Sequence, residues 1–176
     1  MASELQPQDI DDADHPSAPF LAPPSGWSDA LTGVDGPRLW DRLISSEASR
    51  AKRYRRPATV VLVDVAGLAE FASAWGADTA ERLFVRVART LAIEVRASDH
   101  IARIDRSRFG ILLTETDEIA AINFVERARA ASEAQVHASE RLRVGMGWAM
   151  PTDSTDLRGA IETAAIRLAD DLRRPA

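Results

Sequence analysis

Residues 95–113 constrain the fold more than any other stretch, because they predict two neighbouring strands joined by a short charged turn. Apolar Ile101 and Ile104 alternate with charged residues, and a second apolar run extends over 109–113, a pattern typical of adjacent strands. The four residues Asp105–Arg108 between them are polar and suit a turn. The stretch therefore predicts a β-hairpin with a charged tip.

Apolar patterns elsewhere predict the elements around this hairpin. Residues 58–65 form a continuous, largely β-branched run, which is typical of a central strand buried on both faces. The other predicted elements are a helix from 37 to the basic segment 52–57, helices at 67–75, 78–95, 117–134 and 156–173, and a strand at 142–150. The order α-β-α-α-β-β-α-β-α favours an α+β fold with a mixed or antiparallel central sheet. Trp40, Trp75 and Trp148 lie in these apolar patterns, so we expect them in the core.

The N-terminal segment 1–27 differs in composition from the rest of the chain. It holds five of the nine prolines, five acidic residues and no lysine or arginine. Such a segment buries too little apolar area to offset its chain entropy. The sequence therefore predicts a disordered acidic, proline-rich tail at 1–27 and one folded domain at 28–176.

The distribution of charge excludes several classes of partner. The five acids of the tail account for the whole net charge of −5, because the other 22 acidic residues balance the 22 lysines and arginines. No basic field is available for nucleic acid, and no apolar run approaches the roughly 18 residues of a membrane span. Segment 1–27 also lacks the features of a signal peptide. We expect a cytoplasmic protein that binds neither nucleic acid nor membrane.

Two separate stretches resemble motifs of the GGDEF domain, the diguanylate cyclase family of bacterial signalling. Residues 29–40 are similar to the family's opening motif D-x-L-T-G-L-x-N-R-x-x-F. Arg96–Asp99, followed by the hairpin, is similar to its sequence of R-x-x-D, a strand and G-G-D/E-E-F. The resemblance covers about residues 28–173. It implies a palm-like nucleotidyl cyclase fold, with a central sheet flanked by helices.

Most residues that this family uses for catalysis are replaced. Diguanylate cyclases join two GTP molecules with the help of metal ions, which prefer carboxylate and phosphate oxygens. The resemblance puts Asp64 at the first metal carboxylate. The family's second acid, its phosphate-holding lysine, its guanine-reading pair and its C-terminal lysine fall on Ala66, Ala69, Ala72, Glu81 and Leu172. Glu81 also fits a helix capping box that begins at Asp78, and Asp64 also fits a cap of the turn after its strand.

The hairpin tip departs from the family signature as well. Asp105-Arg106-Ser107-Arg108-Phe109 stands where the family has two glycines, two acids and phenylalanine. Glycine lets the backbone approach a nucleotide, and Arg108 brings a positive charge to the place of a metal ligand. We therefore expect a degenerate domain with no diguanylate cyclase activity, no catalytic residue, no resident metal and no cofactor. Asp64 is a vestigial metal candidate, and Mg²⁺ would enter only with residual GTP binding.

The Arg-x-x-Asp element keeps both of its functional residue types. In the family it is the inhibitory site that binds cyclic di-GMP, and the resemblance assigns Arg96, Asp99 and, on the helix after the hairpin, Arg127 to it. A guanidinium donates two parallel hydrogen bonds to guanine O6 and N7, and a carboxylate accepts from N1 and N2. Structural roles stay open, because Asp99 also fits a turn cap, Arg96 a charge at a helix end, and Arg127 a solvated arginine.

Three functions are compatible with the sequence. The first is a receptor that binds cyclic di-GMP and passes the signal to a protein partner that the sequence does not identify. The second is a nucleotide-free interaction or dimerisation module, in which the partner is a second copy or another protein. The third is a GTP-binding domain or residual cyclase, which would need Asp64 to act without its usual neighbours. The retained Arg-x-x-Asp element favours the receptor.

Overall fold

The computed structural model describes residues 20–137, 139 and 142–174. In chain order, these residues form α1 (Pro37–Tyr54), β1 (Ala58–Ala66), α2 (Leu68–Trp75), α3 (Ala77–Glu94), β2 (His100–Arg103), β3 (Arg108–Thr114), α4 (Glu118–Val136), β4 (Arg143–Ala149) and α5 (Leu157–Arg173). This order matches the sequence prediction and confirms the α+β class. No helix in the described residues combines the length and apolar character that crossing a membrane requires.

The four strands form one sheet in the order β2-β3-β1-β4. Each neighbouring pair is antiparallel. The β1 strand lies between β3 and β4, and it is buried along its length except at Ala66. This middle position explains its uninterrupted apolar sequence, because residues on both faces of the strand meet protein.

Two apolar layers cover the two faces of this sheet. Val61, Val63 and Val65 of β1 pack in one cluster with the buried sides of α2, α3 and α4. Val60 and Leu62, which alternate with them, pack in a second cluster with α1 and α5. The alternation follows from the two-residue period of a strand. The helices therefore flank a central sheet, as the sequence predicts.

The segment that precedes α1 is folded against the domain from residue 20 onward. Leu21 is 1% exposed and belongs to the cluster beneath α2, α3 and α4, and Phe20 packs against that cluster. The predicted disordered tail at 1–27 is therefore wrong for residues 20–27, because composition averaged over the segment hides one leucine that enters the core. Residues 1–19 lie outside the described residues.

Two further predictions fail around Gly76, where α2 ends and α3 begins. Trp75 is 66% exposed, because α2 has its buried face at Leu68 and Phe71 and places Trp75 one turn beyond. Gly76 itself is the residue before α3, and no side chain caps that helix. The capping box is therefore wrong, since Asp78 already lies in the first turn of α3.

Candidate functional site

The hairpin tip is held against the central strand. The backbone N–H groups of Ile104 and Asp105 donate to the Arg108 carbonyl at 3.0 and 3.3 Å, which closes the turn. The Val65 N–H donates to the Ser107 carbonyl at 3.2 Å. The tip therefore lies beside the end of β1 that carries Asp64.

Asp64 is buried beside this tip, with 4% of its surface exposed. Its Oδ1 accepts a hydrogen bond from Ser107 Oγ at 2.7 Å. Its Oδ2 accepts from Arg108 Nη2 at 2.9 Å and from Arg108 Nε at 3.2 Å. The alternative that Asp64 caps the turn after its strand is therefore wrong, because the antiparallel register sets Arg108 directly opposite it.

These contacts do not fit a divalent metal. Both carboxylate oxygens of Asp64 are already engaged, and the Arg108 guanidinium brings a positive charge to the position that a cation would need. Within residues 20–137, 139 and 142–174, no group of three or more histidine or acidic side chains is arranged to hold a metal ion. At the tip, the Asp64 carboxylate therefore already has protein donors and faces a positive charge.

Arg103, at the end of β2, is a buried arginine that the sequence pattern did not reveal. It is 1% exposed, and its guanidinium lies over the Phe84 ring at 5.2 Å from the centroid. Its Nη1 donates to Asp29 Oδ1 at 3.1 Å, and its Nη2 donates to the carbonyls of Ala22 and Arg106 at 2.8 Å each. The strand alternation does not reveal this burial, because the acid that neutralises Arg103 lies 74 residues earlier in the chain.

The tip also binds the segment that precedes α1. Arg106 Nη1 donates to the Leu21 carbonyl, next to the Arg103 bond to Ala22. Leu21 itself is buried in the core. Residues 20–22 therefore connect the hairpin tip to the apolar layer, a relationship for which the local sequence gives no signal.

A second site lies between the end of α3, the end of β3 and the first half of α4. It is a cavity of about 260 Å³ lined by Arg96, Asp99, Leu113, Thr116, Ala120, Asn123, Phe124 and Arg127. The three residues that the sequence assigned to a ligand site thus surround one cavity. They come from the α3–β2 connection and from α4, which the fold brings side by side.

Asp99 has a structural role at this cavity. Its Oδ2 accepts from the Arg96 N–H at 3.2 Å, and its Oδ1 accepts from the Thr114 N–H at 3.1 Å. Asp99 is 9% exposed, and its carboxylate joins the end of α3 to the end of β3. The Thr114 hydroxyl also donates to Oδ1, at 3.5 Å. Oδ2 therefore keeps a lone pair for a further donor, because each carboxylate oxygen has about two acceptor positions.

The two arginines of the cavity differ in how they are held. Arg127 Nε donates to Glu94 Oε2 at 2.5 Å, and its guanidinium lies 5.6 Å from the Phe124 ring centroid. No hydrogen bond or ion pair within the described part of the chain engages the Arg96 guanidinium. Arg96 is exposed, and its five donors face no competing protein acceptor among those residues.

Several cavity residues were missed by the sequence reasoning. Asn123 lies four residues before Arg127 on α4, so helical spacing alone could have placed both on one face. Thr116 and Glu94 carried no such signal, because their positions depend on how α3, α4 and the end of β3 pack together.

Comparison with known proteins decides the family. A family profile described as "Diguanylate cyclase, GGDEF domain" matches residues 27–173. The chain belongs to the GGDEF family. Its residues 105–109, at the hairpin tip, read Asp-Arg-Ser-Arg-Phe.

Relatives of this GGDEF domain include two proteins of Escherichia coli that are named as probable or established diguanylate cyclases. The chain is 29% identical over 99 residues to the probable diguanylate cyclase DgcC of strain K12. This match covers 56% of the chain and 27% of the relative. It is 30% identical over 105 residues to the diguanylate cyclase DosC of strain K12, covering 60% of this chain and 23% of the relative. The matched region thus spans about a quarter of the length of these relatives.

Solved GGDEF domains share the fold. The GGDEF domain of DgcB from Caulobacter crescentus, solved in complex with c-di-GMP, superposes with a TM-score of 0.77 at 15% identity, over 85% of this chain and 91% of that one. The diguanylate cyclase SiaD of Pseudomonas aeruginosa, solved with its activator SiaC, gives 0.74 at 23% identity, over 83% and 58%. The FimX GGDEF domain of Pseudomonas aeruginosa gives 0.75 at 16% identity, over 86% and 97%.

Proposed function

We propose that this GGDEF domain is a receptor for cyclic di-GMP that lacks diguanylate cyclase activity. The observation that carries the proposal is that Arg96, Asp99 and Arg127 line one cavity. These residue types match the acceptor and donor edges of guanine. Two arginines beside one aspartate also suit a ligand that carries both bases and anionic phosphates.

The state of Arg96 supports this proposal. Its guanidinium makes no hydrogen bond or ion pair with the described residues, so a ligand would not have to displace a protein acceptor. Arg127 is half-exposed and fixed by Glu94, with Nη1 left over for a ligand oxygen. Because Glu94 already orders the Arg127 side chain, a ligand that binds Arg127 loses less rotamer entropy than one that binds a mobile side chain.

The size of the cavity limits what it would enclose. Its volume of about 260 Å³ is below the roughly 300–1,000 Å³ of typical small-molecule sites. It would therefore take one guanine base, while the ribose–phosphate ring of cyclic di-GMP stays outside it. We expect affinity to depend on base recognition at Arg96 and Asp99.

The Asp64–Arg108 ion pair supports the inactivity part of the proposal. GTP condensation in this family needs metal ions at the triphosphate. The buried Asp64 carboxylate contacts a guanidinium and a hydroxyl group. Ser107 and Arg108 occupy the positions of the two acids of the family signature.

Isothermal titration tests the receptor proposal directly. Purified protein titrated with cyclic di-GMP should release or absorb heat with a saturable isotherm, and the ligand should raise the melting temperature, since it binds the folded state. GTP with Mg²⁺ should do neither. Absence of heat and of a thermal shift at high micromolar cyclic di-GMP would overturn the proposal.

A nucleotide-free interaction or dimerisation module is the second candidate function. Exposed isoleucines favour it, namely Ile93 at 81%, Ile119 at 73% and Ile166 at 65% exposure, because apolar surface is enriched at the cores of interfaces. A GGDEF neighbour, SiaD, is solved with a protein activator. Sedimentation velocity of the protein alone would detect a homodimer.

A further inference from the structure

Two residues in the described structure, Arg55 and Glu115, adopt left-handed backbone conformations without being glycine, with φ of 51° and 50°. Residues with a Cβ avoid this region unless the surrounding structure holds them there. Arg55 ends α1, and Glu115 follows β3. The end of α1 and the end of β3 lie far apart in sequence, so contacts between side chains must hold them together.

That link is a clamp of two arginines on the Glu115 carboxylate. Arg50 Nη2 donates to Glu115 Oε1 and Arg56 Nη1 donates to Oε2, each at 2.5 Å. The left-handed turn at Arg55 leads the chain from the end of α1 to Arg56. The hydrogen bond from Arg56, followed by the charges of Arg56 and Arg50, lowers the pKa of Glu115, so the carboxylate is ionised at neutral pH.

The two chain neighbours of Glu115 connect it to the cavity, Thr116 directly and Thr114 through Asp99. The Thr114 N–H donates to Asp99 Oδ1 at 3.1 Å, and Thr116 lines the cavity wall. Thr116 Oγ1 donates to the Thr114 carbonyl at 2.9 Å, and Thr59 Oγ1 donates to the Thr116 carbonyl at 3.1 Å. One turn, residues 114–116, is therefore held on one side by Asp99 and on the other by α1.

We propose that Glu115 is a positioning residue for the cavity, and that the clamp from Arg50 and Arg56 holds turn 114–116 in the conformation that orients Asp99 toward a ligand. This inference rests on the proposed function, because its main readout is cyclic di-GMP affinity. Coupling between two sites is reciprocal. A change at the end of α1 therefore alters ligand affinity, and ligand binding alters the environment of Arg50 and Arg56.

Titration of Glu115→Ala and Glu115→Gln with cyclic di-GMP tests the role. Coupling through a shared structural element is typically worth a several-fold change in affinity, so Glu115→Ala should weaken binding roughly three- to tenfold. Glu115→Gln should recover part of this loss, because its amide oxygen still accepts from one arginine. The matched control is Asp170→Ala, which removes an exposed carboxylate from an arginine on α5 and should leave affinity unchanged.

A second readout does not depend on the ligand. The Thr114 amide proton should exchange faster in Glu115→Ala than in the wild type, because release of the clamp weakens its bond to Asp99. If Glu115→Ala does not fold, Arg56→Ala serves instead, since it removes one side of the clamp from an exposed position. Arg50→Ala is the less specific variant, because Arg50 also pairs with the buried Glu47.

The outcomes separate the two claims. If the wild type binds cyclic di-GMP and the clamp variants bind it equally well, the positioning role is overturned and the receptor proposal stands. If the wild type does not bind, the receptor proposal fails, and the exchange rate of the Thr114 amide decides the positioning role alone. An unchanged exchange rate in every clamp variant would overturn that role.

Discussion

Arg108 and Asp64 face each other across β3 and β1, and the Arg108 guanidinium donates two hydrogen bonds to one oxygen of the buried Asp64 carboxylate. The Arg108 side chain is 37% exposed, whereas that of Asp64 is only 6% exposed. Loss of the partner should therefore affect the two charged groups unequally. Without Asp64 the guanidinium remains partly hydrated, but without Arg108 the carboxylate is left buried with one hydroxyl partner.

This asymmetry predicts different effects on stability. Arg108→Ala should lower the free energy of unfolding by about 1–3 kcal/mol, since a buried charge loses its counter-ion. Asp64→Ala should cost less, and adding it to Arg108→Ala should restore part of the loss. Urea denaturation of the two single variants and the double variant measures all three values. Strictly additive effects would show that the pair does not interact.

The same pair predicts the response to GTP. Purified protein with GTP and Mg²⁺ should form no cyclic di-GMP above a no-protein control, because Asp64 is engaged by Arg108 and Ser107 stands where the family signature has an acid. Chromatography of the nucleotide products is the measurement. Product that forms with the wild type and disappears in Asp64→Ala would demonstrate residual cyclase activity at this site.

Leu21 predicts that the segment before α1 contributes to stability. Leu21→Ala should lower the free energy of unfolding by about 2–5 kcal/mol, as expected for a buried leucine truncated to alanine. Ile93→Ala, at an 81% exposed position, should change it by about 0.5 kcal/mol or less. A loss at Leu21 no larger than that at Ile93 would mean that residues 20–22 do not pack on the core in solution.

The elements that the sequence predicts well are those with strong apolar periodicity. The β1 strand is apolar on both faces because it lies in the middle of the sheet, so its position follows from its sequence. The hairpin follows from two apolar runs around a polar turn. The order of helices and strands was therefore predictable, and so was the α+β class.

The contacts that the sequence does not predict are those made between distant segments. Arg103 belongs to an alternating strand pattern, but Asp29 and the Ala22 carbonyl make its burial favourable. Leu21 lies in a segment with the composition of a disordered chain, yet its single side chain fits the core. Local composition carries no information about such partners.

For the candidate site, motif spacing identified Arg96, Asp99 and Arg127 but not the way they are held. The bond from the Thr114 N–H to Asp99 and the bond from Arg127 to Glu94 depend on the packing of β3 and α3 against α4. Helical periodicity could have added Asn123. The clamp on Glu115 joins residues 59 and 65 positions apart, and spacing within one element cannot reveal it.

The cavity arginines predict a graded loss of cyclic di-GMP affinity. Each bidentate guanine contact is worth about 1–3 kcal/mol by analogy with base readout, so Arg96→Ala should weaken binding roughly tenfold or more. Its stability should not change, since the guanidinium makes no hydrogen bond within the described residues. Arg96→Lys should remain weak, because lysine keeps the charge but not the planar pair of donors.

The other cavity residues separate recognition from structure. Asp99→Ala should weaken binding and also lower the melting temperature, because Asp99 bonds the backbone of Arg96 and Thr114. Arg127→Ala should weaken binding less than Arg96→Ala, since part of its guanidinium is engaged by Glu94. The matched control is Arg86→Ala, which removes another α3–α4 contact, the bond to Gln135, away from the cavity. Equal losses in Arg86→Ala and Arg96→Ala would contradict recognition by Arg96, because a general loosening of the domain would then explain both.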